Sequence, residues 1–181
     1  QAQKRATQIK REQERNHISL LLTSNYVRAR ETAKPIARAL GVITLSLPLF
    51  VERIHPSAIH GKSTSDPEAY AIWQHGRDNF HNEEFVYDDG ETFALLKKRA
   101  IAALEYVLTF DHTHIALVTH GVFATALAAV SQKGHALTSQ DLNQYQFRMD
   151  NTGLSILRHE THNSFSHVVT GWGIHRWNET S

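Results

Sequence analysis

The chain has 181 residues, 41% hydrophobic and 20% charged, with a formal net charge of +1 at pH 7. These numbers read as one globular domain over 1–181, with no case for nucleic acid or an anionic membrane as main partner. No apolar run reaches the roughly 18 residues of a membrane span, the first residues carry no signal-peptide pattern, and the absence of cysteine removes disulfides, thiolate metal sites and a cysteine nucleophile. The location read from this is cytoplasmic.

Residues 1–15 are polar, with Ala2, Ala6 and Ile9 on one helical face. "HISLLLT" at 17–23 is a strand, with Ser24 as N-cap of the helix that follows it. Pro35 should kink or divide that helix. "GVITLSL" at 41–47, bounded by Gly41 and Pro48, is a second strand, and 48–64 is an irregular loop. "SDPEAYAIWQ" has Ser65 and Glu68 at capping-box spacing and Pro67 in the first turn, which opens a helix. The longest helix pattern runs through "DDGETFALLKKRAIAALEYVLTF", where Leu96, Ala100, Leu104 and Leu108 share a face with Ala103 and Val107. "HIALVT" at 114–119 is a continuous apolar strand of the kind found deep in a parallel sheet. "GVFATALAAVSQ" is an apolar helix, "LTSQDLNQYQ" a short capped one, and "GLSILRH" and "FSHVVTG" are paired edge strands. Alternating strands and helices predict an α/β fold, a three-layer α/β/α sandwich with a mostly parallel central sheet.

In such sheets ligands bind outside the carboxyl ends of strands, near helix N-termini. Two junctions have that form: "LLLTS" into "NYVRAR", and "IALVT" into "HGVFATAL". Helix N-termini attract anions, and an arginine fork bonds two oxygens at once. Singly, Arg28 or Arg30 reads as a solvated helix face and His120 as a hydrogen-bonded strand-end histidine. Together, at equivalent junctions, they describe a pocket for a dianion such as a phosphoryl group. "HGKST" at 60–64 lacks the glycine a phosphate loop needs, since position 56 is Pro56. The pairs "DHTH" and "HETH" read as solvated turns rather than metal sites, for want of thiolates or a carboxylate cluster. Trp172 and Trp177 read as packing.

"SNYVRARETA" resembles the second motif of the histidine phosphatase superfamily, the phosphoglycerate mutase-like group. Ser24, Arg28, Ala29, Thr32 and Ala33 match, and Tyr26 departs where leucine is usual. "LVTHG" is similar to the family's strand-His-Gly motif, with His120 at the histidine. "LFVERIHPSAIHGK" resembles the stretch carrying the acidic residue, which is then Glu52. "DDGETFALLKKRAIAALEYVL" is similar to the family's Gly-Glu-Ser helix. The resemblance follows the family order over nearly the whole chain.

This resemblance implies a phosphomonoester hydrolase working through phosphohistidine. Catalytic residues would be Glu52, as acid and then base, and His120. Phosphate would be bound by Arg28, His120 and Ser24, with no cofactor and no metal, since arginine and histidine supply the positive charge. The partner implied is a small phosphorylated substrate, and a homodimer is compatible with it. One departure stands out. The family's nucleophile lies in an N-terminal Arg-His-Gly motif that these residues lack, so a preceding segment bearing the nucleophile and the first strand is expected. A mutase of the same superfamily and a non-catalytic phosphate-binding relative remain alternatives. The compact loop at 48–64 favours the phosphatase. The segments 48–64 and 76–90 carry no readable specificity code.

Overall fold

A computed structural model of the chain describes Ile9 and residues 17–144, 149–163 and 168–180. The helix expected over 1–15 lies outside these residues except for Ile9, which is buried against Leu21, Ala33, Ile36 and Leu40. The first strand, β1, spans Leu20–Ser24 and is buried at all five positions. Its apolar run has no alternation because both faces are covered: Leu20 and Leu22 enter one core and Leu21 the other.

Helix α1, Val27–Leu40, buries Ala29, Ala33, Ile36 and Leu40, a spacing that keeps one stripe against the sheet. It runs through Pro35 undivided. The proline removes the N–H that would reach the carbonyl of Glu31, and Glu31 is exposed, so water can serve that oxygen. Gly41 closes α1 at φ 69°, a left-handed conformation that costs glycine least. Strand β2 therefore starts at Ile43 and ends at Leu47.

The loop at 48–64 contains two 3-10 turns, Pro48–Phe50 and Ser57–Ile59. Helix α2, Pro67–Asp78, is capped by Asp66, not by the expected Ser65 box. The Asp66 carboxylate accepts from the N–H groups of Glu68 and Ala69 at 3.0 and 3.1 Å, while the Ser65 hydroxyl pairs with Ser63. Helix α3, Phe93–Leu108, begins at its cap Thr92, so residues 88–92 are turn rather than helix. It buries Phe93, Leu96, Ala100, Ala103 and Leu104. Leu108, expected on that face, lies in the last turn beyond the core and is 48% exposed.

Strand β3, Ile115–Val118, leads to helix α4, Gly121–Lys133, and then to short helix α5, Ser139–Gln144. The chain ends in a hairpin of β4, Leu154–Asn163, and β5, Val168–Glu179. The "HETH" residues lie within β4 and not in a turn, with His159 edge-on to Trp172. Trp172 packs against the main core, as expected of it.

The main sheet has the order β2-β1-β3, all parallel, with Leu22 opposite Leu45 on one side and Leu117 on the other. Helix α1 covers one face and α3 with α4 the other, which is the three-layer α/β/α arrangement. β3 differs from expectation. It is half-buried and pairs only with β1 among the described residues, so β1 holds the central place.

Candidate active site

β1 and β3 are parallel neighbours, so their carboxyl ends deliver Ser24 and His120 to the same side of the sheet. Ser24 and His120 are both buried. Asn25 and Tyr26 turn the chain into α1, and the N-cap is Tyr26. Ser24 is thus not the helix cap. Its hydroxyl accepts from the Tyr26 N–H at 3.2 Å and meets Nε2 of His120 at 2.8 Å. Strand β1 continues through Ser24, which leaves its hydroxyl two residues too early to cap the helix.

Arg28 donates from Nε to Nδ1 of His120 at 3.0 Å. A guanidinium has donors only, so Nδ1 must present its lone pair. The network therefore assigns His120 the neutral tautomer with the proton on Nε2, donated to Ser24. Burial first, and then the Arg28 charge, hold the His120 pKa below its ordinary value. The Tyr26 ring touches both groups, edge-on to the imidazole at 5.3 Å and 5.1 Å from the Arg28 guanidinium. Arg30 is exposed and stays outside this cluster. Two residues on a helix differ by about 200° in direction.

Glu52 reaches the same corner from the loop after β2. Its Oε1 accepts from the N–H of Phe123 at 3.0 Å and of Arg53 at 2.9 Å, and Oε2 accepts from Val122 at 3.3 Å. Glu52 therefore caps α4, whose own N-cap, His120, makes no side-chain cap bond. A carboxylate here also meets the positive end of the helix dipole, worth about 0.3–1 kcal/mol at a surface site. The N–H groups of Val122 and Phe123, at the start of α4, are thus taken by Glu52. The carboxylate also opposes burial and Arg28 by raising the His120 pKa.

The sequence reading missed three charged residues around Glu52. Arg53 is 8% exposed and bonds the backbone oxygens of Glu91 and Gly76, with its guanidinium 3.8 Å from the Phe80 ring centre. Glu91 and Arg99 form a buried ion pair at 2.6 Å. One signal was available: Arg99 falls on the apolar stripe of α3, between Leu96 and Ala103, where a cation needs an internal partner. The segments 48–64 and 76–90 are linked by these contacts and by the bond from the Ser57 N–H to Asp89 at 2.9 Å. Among the described residues no three His, Asp or Glu side chains are grouped to hold a metal ion, and no helix is long and apolar enough to cross a membrane. His112 of "DHTH" bonds Ser19 at 2.7 Å.

The chemistry available at this corner is anion capture followed by proton transfer. A dianion entering beside Arg28 offers its guanidinium two oxygens in place of one imidazole lone pair, a stronger charge-assisted exchange. His120, once released from Arg28 and protonated, becomes a second donor. Glu52 supplies a carboxyl group within the same corner.

The profile of the histidine phosphatase superfamily (branch 1) matches residues 1–178. No curated protein matches the chain in sequence. Several solved structures share its fold. A structure described as mycobacterial hydrolase 1 is 17% identical with a TM-score of 0.75, covering 100% of this chain and 83% of its own. YhfR of Bacillus stearothermophilus is 20% identical with a TM-score of 0.73, covering 99% and 83%. A mycobacterial glucosyl-3-phosphoglycerate phosphatase is 15% identical with a TM-score of 0.71, covering 99% and 86%. Since the profile spans nearly every residue and the same architecture recurs in these structures, the chain belongs to the histidine phosphatase superfamily, branch 1.

Proposed function

We propose that this protein is a metal-independent phosphomonoester hydrolase acting on a small phosphorylated substrate through a phosphohistidine intermediate. The observation that carries this reading is the 3.0 Å contact between Arg28 and His120, which joins two strand ends into one anion-binding corner. Membership of the family and the phosphatase among the similar structures support the same reaction class. The nucleophile is a histidine N-terminal to residue 1. The outer edge of β3, unpaired among the described residues, is where a parallel strand would bring such a side chain beside His120.

In the first step the nucleophilic imidazole nitrogen forms a bond to phosphorus. The bond from phosphorus to the substrate oxygen breaks, its electron pair stays on that oxygen, and Glu52 gives the oxygen a proton. In the second step Glu52 takes a proton from water, the water oxygen bonds phosphorus, and the nitrogen leaves with its pair. Splitting the displacement in two lowers each barrier. Arg28 and His120 balance charge on the non-bridging oxygens throughout, and Ser24 holds His120 by its hydroxyl.

A second reading rests on the same contacts: Glu52, with both oxygens accepting N–H groups of α4 and its own loop, serves only as a helix cap. The test uses the full-length protein carrying its N-terminal segment, assayed with chelator present. Hydrolysis of nitrophenyl phosphate should persist, and complete dependence on a divalent ion would remove the metal-free mechanism. Glu52→Gln should slow phenyl phosphate, with its poor leaving group, far more than nitrophenyl phosphate. Equal losses on both would leave Glu52 a cap.

A further inference from the structure

The loop that carries Glu52 has little regular structure of its own, yet its backbone is gripped from α3. The Arg99 guanidinium donates from Nη1 to the carbonyls of Leu49 and Val51 at 3.1 and 2.8 Å, and from Nη2 to the carbonyl of Glu52 at 3.3 Å. Its remaining N–H groups go to Glu91, from Nε at 2.7 Å and from Nη2 at 2.6 Å. All five donors of the fork are thus used. Glu91 holds the far side of the loop: its Oε2 accepts from the Ile54 N–H at 3.2 Å, and its own N–H donates to the Ile54 carbonyl at 2.7 Å. The Arg99 guanidinium also lies 4.1 Å from the centre of the Phe123 ring. Phe123 is the residue whose N–H donates to the Glu52 carboxylate at 3.0 Å.

A buried ion pair is a poor device for stability alone, because desolvating two charges offsets most of their attraction. Arg99 and Glu91 side chains are only 14% and 5% exposed. What the pair specifies is geometry. It fixes the carbonyls of residues 49, 51 and 52 and both backbone groups of residue 54, and so the direction in which the Glu52 side chain leaves the loop.

We propose that Arg99 and Glu91 are positioning residues for Glu52, aligning its carboxyl group with the leaving oxygen of the substrate. The proposal rests on the reading of Glu52 as proton donor. Lysine, with three donors on a point charge, cannot replace the fork. Glutamine at 91 keeps the shape but loses the charge.

The experiment compares Arg99→Lys, Glu91→Gln and Glu52→Gln in the full-length protein, each alone and each of the first two combined with the third. Misplacing a catalytic group by an ångström costs up to about a hundredfold. Arg99→Lys and Glu91→Gln should therefore reduce kcat on phenyl phosphate by roughly ten- to a hundredfold, with a much smaller loss on nitrophenyl phosphate. In the Glu52→Gln background neither change should alter the ratio between the two substrates further. Amide hydrogen exchange supplies a readout that does not depend on activity: the N–H groups of Val122, Phe123 and Arg53 should exchange faster in both single variants. Losses equal on both substrates, or a lowered melting temperature with those three amides unchanged, would overturn the proposal. If Arg99→Lys fails to fold, Glu91→Gln carries the same comparison. Should Glu52→Gln itself leave the ratio untouched, the proton-donor reading falls, while the exchange data still decide whether the clamp holds Glu52.

Discussion

Arg28 and Arg30 are separated by one alanine, yet only Arg28 reaches His120. Both are exposed at the start of α1, but Arg28 bonds His120, whereas Arg30 stays outside that cluster. The difference follows from helix geometry, since the two side chains diverge as soon as the backbone winds. It also sets a test at single-residue scale. Arg28→Ala in the full-length protein should lower kcat/KM on nitrophenyl phosphate by about a hundred- to a thousandfold, the scale of losing one donor to a developing oxyanion. Arg30→Ala should stay within about 0.5 kcal/mol of the parent, as surface changes do. Steady-state kinetics on both variants decide it, and an inactive Arg30 variant beside an active Arg28 one would move the phosphate clamp. The motif spacing marks Arg28 in the sequence. The tautomer of His120 is not marked there, because it depends on a partner 92 positions away.

Between elements, α2 meets the segment 85–91 at a glycine. Gly76 is buried, and a Cβ on it would lie 2.1 Å from an atom of the Tyr87 ring. That ring is 2% exposed and flanked by Phe85 and the Arg53 guanidinium, so it has little room to move. Gly76→Ala should gain up to about 1 kcal/mol of helix propensity and lose about 1–3 kcal/mol to overpacking. The net effect is destabilising, read as a lower urea midpoint at unchanged slope. A raised midpoint would mean that Tyr87 yields. The same junction supports the Glu52 loop, because Arg53 bonds the Gly76 carbonyl at 3.1 Å. Helix α3 was legible from its 3.6-residue stripe. This contact was not, since nothing local in "QHGRDN" reports the tyrosine that will lie against it.

Across the molecule, two histidines make acid destabilising. His120 and His55 are both held below their ordinary pKa, chiefly by burial. His120 also faces Arg28 and Arg99, which lower it, and Glu52, which raises it; His55 faces Arg53 and His60, which lower it. In the unfolded chain both titrate near about 6.5. The unfolded state then binds more protons, so stability rises with pH through this window. Their contribution is complete above about pH 6.5 and is lost as pH falls through the depressed folded values. The carboxyl groups of Glu31, Asp89 and Asp141 are lowered too, that of Asp141 to about 2, and act only at more acid pH. Urea midpoints should therefore drop between about pH 7 and 5, ahead of the carboxylate range. A midpoint constant over that interval would contradict the neutral assignment of His120.

Several elements were determined by the sequence alone, because helix and strand periods are local: the stripe Leu96, Ala100, Ala103 and Leu104, the run of leucines in β1, the strand-to-helix junctions after Ser24 and at His120. Choices between near neighbours were not marked in the sequence, such as Asp66 over Ser65 as a cap and Tyr26 over Ser24. Nor were the pairings that make the site. Among the described residues β1 lies between β2 and β3, and this depends on which strands find partners, not on how apolar each is. Glu52 meets the N–H of Phe123, 71 positions on, and Arg99 meets the carbonyl of Val51, 48 positions back. Hydrogen bonds act over about 3 Å of space whatever the distance along the chain, so only folding decides which charged side chains share a corner.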